Sequence, residues 1–222
     1  MNTVIALGCA IPILLSIGAR YSALAQDANS GGVPPFLATN LVSLLQQVET
    51  TNPDDIRRDA AGRVVALTLR QGFANESNLF LVSTLHSLQR LSMLTSRRAQ
   101  PSESSISSLI DLTNLNTITF NCGGQLPGGV FRATCSLKGL QNLGLDGAYP
   151  PAAEYAAVTN LQELVGLRVT YCTNFSDQQL SFLTNLPKLK SIELWADSLS
   201  ASAPNYFATL KKVTNFITRP HY

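Results

Sequence analysis

The chain has 222 residues, of which 45% are apolar, 14% charged and 7% aromatic, with a formal charge of +2. That length suffices for one domain with a real core. The low charge density and the lack of any basic run exclude nucleic-acid affinity driven by phosphate neutralisation; Arg57-Arg58, Arg97-Arg98 and Lys211-Lys212 are isolated pairs that read as solvated corners.

Residues 1–25 differ from the rest. Val4 to Ala19 is an almost unbroken apolar run, and Ser22-Ala23-Leu24-Ala25 places small residues at both positions of an A-x-A cleavage site. This pattern predicts a secretory signal peptide over residues 1–25, a mature chain beginning at Gln26, and a secreted, periplasmic or cell-surface location. No Lys or Arg precedes the run and Arg20 follows it, so a retained membrane anchor stays open. Residues 26–35, QDANSGGVPP, read as a flexible leader. Residues 36–60 are expected to form an N-terminal helical cap. Phe36, Leu37, Leu41, Leu44 and Leu45 have helical spacing, Asn40 could cap the start, and a turn-rich connection surrounds Asn52-Pro53.

From residue 61 to 222 one plan repeats. Leu161, Leu164, Leu167 and Val169 step by three, three and two. The same steps recur at Leu85 to Met93, Leu112 to Phe120, Leu137 to Leu145 and Leu186 to Leu194, with weaker copies at Ala61 to Leu69 and Leu210 to Thr218. The last slots are Leu69, Met93, Phe120, Leu145, Val169, Leu194 and Thr218, separated by 24 to 27 residues. Independent elements have no reason to return at so even an interval, whereas stacked coils must. Each unit should place its last two apolar slots inward from a short strand, turn, and return by a helix or loop on the opposite side. Ser102, Pro150-Pro151, Ser176-Asp177 and Pro204 are candidate helix starts. Asn121 to Thr134 carries four glycines and Pro127, and reads as an irregular loop.

Units of LxxLxxLxL resemble leucine-rich repeats, whose LxxLxL core is followed by a turn position held by Asn or Cys. Cys172 occupies that position, and Asp197 does so one unit later; Gly72, Ser96, Gly123 and Ala148 there depart from the family pattern. The segment NFSDQQLSFLTNLPKLKSIEL resembles bacterial and cysteine-containing types. The fold expected is an α/β leucine-rich repeat solenoid of about seven coils, with a curved parallel sheet on its concave side and short helices and loops on its convex side. Few residues follow Thr218, so the last coil is expected to be covered by the helix after Pro204, by a partner or by a second copy.

Removing residues 1–25 leaves Cys122, Cys135 and Cys172, an odd number. Cys172 should point into its coil, Cys122 and Cys172 lie two coils apart and too far for a bond, and Cys122 with Cys135 is a possible disulfide. Asn75-Glu76-Ser77 and Asn174-Phe175-Ser176 are acceptor sequences if the chain passes through a eukaryotic secretory pathway. His86 and His221 sit in no motif with a nucleophile or carboxylate, no phosphate loop follows a strand, and no Cys–His spacing suits zinc, so no catalysis, cofactor or metal is expected.

The outward strand positions form columns instead. One reads Thr68, Ser92, Thr119, Gly144, Arg168, Glu193, Ile217; the next reads Arg70, Leu94, Asn121, Asp146, Thr170, Trp195, Arg219, with Tyr171 just beyond. Asp146, Arg168, Thr170, Tyr171, Glu193 and Trp195 are therefore the candidate centre of a partner site, since aromatic and Arg residues anchor interfaces. A cross-strand Arg168–Glu193 ion pair with Trp195 packed on a neighbour is the competing view. The expected function is an exported, non-catalytic interaction module for a protein or peptide. An envelope protein binding glycan or peptidoglycan, and a cytoplasmic adaptor, are the alternatives.

Overall fold

The computed structural model describes residues 34–172, 174–195, 210 and 213–218. The predicted signal peptide, nearly all of the leader, the helix after Pro204 and residues 219–222 lie outside these.

The described chain opens with helix α1, Pro35–Thr51. Pro35 suits the first turn because it lacks an N–H that would go unused there, and its φ is already helical. Leu41, Leu44, Leu45 and Val48 fall on one face and are buried. Asn40 thus lies inside the helix and caps nothing, a correction to the expected start. Asn52 then caps a single turn, Pro53–Asp55, by accepting from the Asp54 N–H at 3.3 Å. Strand β1, Ile56–Arg58, follows where only a turn was expected, and runs antiparallel to the next strand.

The coils begin with β2, Val64–Leu69, and continue through β3, Arg90–Leu94; β4, Thr117–Gln125; β5, Asn142–Tyr149; β6, Gly166–Thr170; β7, Ser191–Leu194; and β8, Asn215–Thr218. All eight strands form one sheet in sequence order, parallel from β2 onward. Leu69, Met93, Phe120, Leu145, Val169, Leu194 and Thr218 pair in a single row across it. Those are the last apolar slots of the repeat, and the first six are essentially sealed from solvent. Among the slots whose burial is described, Ala61 lies exposed in a turn before β2 and Val213 is only partly buried. The architecture is the solenoid that the spacing predicts, of the α/β leucine-rich repeat kind that the resemblance implies.

Return segments close the opposite side of the core. They are α2, Glu76–Val82; α3, Glu103–Ser107, continued by a 3-10 turn over Ser108–Asp111; α4, Gly128–Cys135; a 3-10 helix over Ala152–Asn160; and α5, Asp177–Leu183. Side-chain oxygens of Asn75 and Ser102 accept from the backbone N–H of Asn78 and Ser105, satisfying donors that the first helical turn leaves over. Coil-to-coil bonding continues at the entry to each strand. The carbonyls of Gln89, Asn116, Gln141 and Val165 each accept two N–H groups from the following coil, at 2.7 to 3.1 Å.

Asn121 to Thr134 is not the irregular loop expected. β4 runs on to Gln125 through a bulge, and α4 begins at Gly128. The glycines serve close approach: a Cβ on Gly128 would fall 2.9 Å from a Glu154 carboxylate oxygen, and one on Gly129 would fall 2.1 Å from Glu103. Both carboxylates approach the positive end of the helix, and Arg132 one turn on ion-pairs with Glu154 and lies 3.9 Å from Glu103. The bulge also moves Gly123, rather than Cys122, to the outside, against the expected turn assignment. Cys122 on the sheet and Cys135 at the end of α4 belong to different layers, so the disulfide considered between them is not formed, and both thiols are free and buried.

Candidate functional site

The six candidate residues sit on or under the concave sheet at β5, β6 and β7. Arg168, in the middle of β6, is held between two carboxylates, with Asp146 on β5 at 3.8 Å and Glu193 on β7 at 3.4 Å. Register explains this: Arg168 pairs directly with Glu193, while Asp146 is diagonal to it and pairs with Thr170. The Arg168 side chain stays 47% exposed, so solvent screens both pairs and they add little to stability. Their consequence is to fix where the guanidinium points.

Thr170 differs from expectation. It occupies the outward row, yet is fully buried, flanked there by Asp146 and by Trp195 at the end of β7. Its hydroxyl donates to Asp146 Oδ1 at 2.5 Å. Thr170 therefore supports the site from below and does not present itself to a partner.

Tyr171 and Trp195 form the aromatic part, edge to face with ring centroids 5.0 Å apart. Tyr171 is 48% exposed and adopts φ 55, the left-handed region that only Gly enters without cost. One coil earlier the same place is held by Gly147, at φ 59. The chain thus places a bulky ring where its own repeat uses glycine, at a cost of about 1–2 kcal/mol. The left-handed turn of Tyr171 was not foreseen; its spacing of 24 residues from Gly147 is the signal that could have revealed it.

Toward β4 the face is low and polar. A trough of about 260 Å³ runs over Gly144 and Gly166, with Thr119 and Asn142 leaning across them, and continues along Arg168, Ser191 and Glu193. Further on, a second trough of about 280 Å³ is lined by Arg57, Ala66, Thr68, Arg90 and Ser92, and by Asp54 and Asp55. This half of the face escaped the sequence reading because it needs β1, whose three residues carry no repeat signal. Off the face, a cleft of about 420 Å³ lies among Leu109, Ile110, Leu112 and Leu137 at the coil turns, with Lys138 its one titratable side chain.

Among the described residues the cysteine thiols are poorly placed for nucleophilic chemistry. Burial pushes the Cys135 and Cys172 thiols up to about 12 and raises that of Cys122, so all three stay protonated near neutrality. Cys172 points inward as expected and donates to the carbonyls of Thr170 at 3.3 Å and Ala148 at 3.5 Å. Among the described residues no cluster of His, Cys, Asp and Glu could hold a metal ion, and no helix is long and apolar enough to cross a membrane.

No family model matches the chain, and no curated protein matches it. Solved structures do. The leucine-rich repeat ectodomain of the Arabidopsis receptor kinase HAESA, in complex with an N-terminally extended IDA peptide hormone ligand, aligns with 92% of this chain and 42% of its own, at 17% identity and a TM-score of 0.42. The PEPR1–AtPEP1 structure aligns with 76% of this chain and 26% of its own, at 20% identity and a TM-score of 0.41. An internalin, InlF of Listeria monocytogenes, aligns over 64% of both chains, at 14% identity and a TM-score of 0.26. The chain spans less than half of each receptor chain, and at these identities the likeness concerns the fold alone.

Proposed function

We propose that this solenoid is a non-catalytic interaction module that receives a protein or peptide segment across its concave sheet. Tyr171, Trp195 and Arg168 form the centre of contact, while Asp146, Glu193 and Thr170 hold them in place. The observation that carries this reading is Tyr171. A strained, half-exposed ring adds little to the core it leaves, yet it stands beside the chain's one Trp and an oriented guanidinium. Residual strain of this kind persists where it has a use, and rigid aromatic and Arg groups are the usual anchors of interfaces.

The test is selection from a displayed peptide library on the full chain, followed by titration of the selected peptides. Trp195 reports directly, being the sole Trp, so its emission should shift on binding. Trp195→Ala and Arg168→Ala should each weaken binding by about tenfold or more. Selected peptides that bind both variants as tightly as the parent would sink the proposal. Export belongs to the same reading and rests on the residue pattern over 1–25. N-terminal sequencing of the protein from its host should return Gln26, and recovery of an intact Met1 would argue for the retained anchor or the cytoplasmic adaptor.

A further inference from the structure

The second trough on the concave face, next to β1, has a charge character of its own. Arg57 on β1 and Arg90 on β3 are both exposed, and each pairs in register with Ala66 on β2 between them. Two strand spacings separate their backbones by about 10 Å, within reach of two arginine side chains that lean toward each other. Ala66 offers only a methyl to the space between. Thr68 and Ser92 stand in the neighbouring row as hydroxyl donors, and Thr117 and Thr119 continue the floor on β4.

The nearby acids leave these two cations available. Asp55 is buried and fully engaged: it accepts from Arg70 at 2.5 and 3.0 Å and from the Asn52 amide at 3.1 Å. Asp54 also lines the trough and forms no ion pair among the described residues, and neither Arg57 nor Arg90 has an ion-pair partner there. At the other end of the face the balance reverses, since Arg168 is shared by Asp146 and Glu193. One end of the sheet therefore carries two guanidinium groups against the one unpaired carboxylate of Asp54, and the other carries one more carboxylate than cation.

We infer that the trough between Arg57 and Arg90 is a carboxylate-binding subsite that takes an acidic side chain of the bound peptide. This rests on the concave face being the binding surface. Guanidinium forks match a carboxylate in a planar, bidentate way, and a carboxylate can accept from both sides at once. The hydroxyls of Thr68 and Ser92 satisfy what the forks leave. The reversed charge at the Arg168 end disfavours the opposite orientation of the same ligand, so the two ends together set the direction in which an acidic segment lies.

The experiment uses the full chain, isotopically labelled, with blocked tetraglutamate and tetraglutamine peptides as probes. Tetraglutamate should move the amide resonances of Arg57, Ala66, Arg90 and Ser92, and tetraglutamine should not. Arg57→Ala and Arg90→Ala should each weaken the response about tenfold. Asp54→Asn should strengthen it, which guards against variants that merely unfold. Shifts centred on Arg132, Lys138 or Lys188, or no shifts at all, would overturn the subsite. An equal response to inorganic phosphate at the same residues would overturn its assignment to a peptide carboxylate. The two readings fail separately: library peptides that depend on Trp195 but show no acidic enrichment remove the subsite alone. Tetraglutamate binding in a protein that selects no peptide on this face removes the broader function.

Discussion

Gly147 and Tyr171 occupy the same place in successive coils at nearly the same positive φ, and they resolve the steric problem differently. A methyl group at Gly147 would come 3.3 Å from the Cα of Gly123 as well as suffering the left-handed backbone. Gly147→Ala should therefore destabilise the fold by about 1–2 kcal/mol, read from the shift in a urea unfolding midpoint. Cysteine makes the second residue-scale prediction. The thiols of Cys135 and Cys172 ionise at about 12 when folded, against 9.0 ordinarily, because burial disfavours the thiolate. A raised folded value favours the protonated form, so its stabilisation is fully present below about pH 9 and is lost as the pH rises toward about 12. Unfolding midpoints should be flat through neutrality and fall above pH 9, and a Cys135→Ala, Cys172→Ala double variant should show a shallower fall. Outwardness was legible at Arg168 and Glu193, where alternation along a strand decides it. It failed at Thr170, because whether an outward residue meets water depends on the size of its neighbours in adjacent coils, and a hydroxyl beneath Asp146 and Trp195 does not.

Elements were legible where a cap or a period marked them. Ser176 opens α5 as expected, and Gln179 completes the box: its amide oxygen accepts from the Ser176 N–H at 2.9 Å and from the Ser176 hydroxyl at 2.7 Å. Gln179 is also nearly sealed from solvent, and its amide nitrogen reaches the Ala152 carbonyl of the preceding coil at 3.4 Å. Gln179→Ala should cost about 1–2 kcal/mol in thermal or urea denaturation, more than an exposed cap, since it leaves buried groups unsatisfied. α4 was illegible for a physical reason. Glycine is a poor helix former, and Gly128-Gly129 reads as a loop until Glu103 and Glu154 are seen to need the space. That information sits in the coils before and after, at Glu103 and Glu154, and no local pattern carries it. The same limit hid β1, whose identity as a strand comes from pairing with β2 and not from its own three residues. The acceptor sequences at Asn75 and Asn174 gain a local account too. Both side-chain amides already donate to backbone carbonyls, of Gly72 at 2.9 Å and Pro150 at 2.6 Å, so each has a structural role.

The whole molecule was the most legible level, because stacked coils repeat one burial pattern and every copy reinforces the register of the others. Phe120 stands in the inward row between Met93 and Leu145 and is completely buried. Phe120→Ala should cost about 3–5 kcal/mol, a large share of the ~5–15 kcal/mol that holds a domain together. Hydrogen exchange should show protection falling first in β3, β4 and β5, since each coil leans only on its neighbours. Which partner binds was never legible at this level: the repeat dictates the scaffold, while recognition depends on outward positions that the scaffold leaves free. β1 adds a consequence for the crowd of identical molecules. It is short, bulged between Arg57 and Arg58, and runs against its neighbour. A strand from another copy would find there only a brief, bulged run carrying arginine charge. Among the described residues this edge is thus a poor template for strand addition, short and charged, which disfavours growth of the sheet from copy to copy.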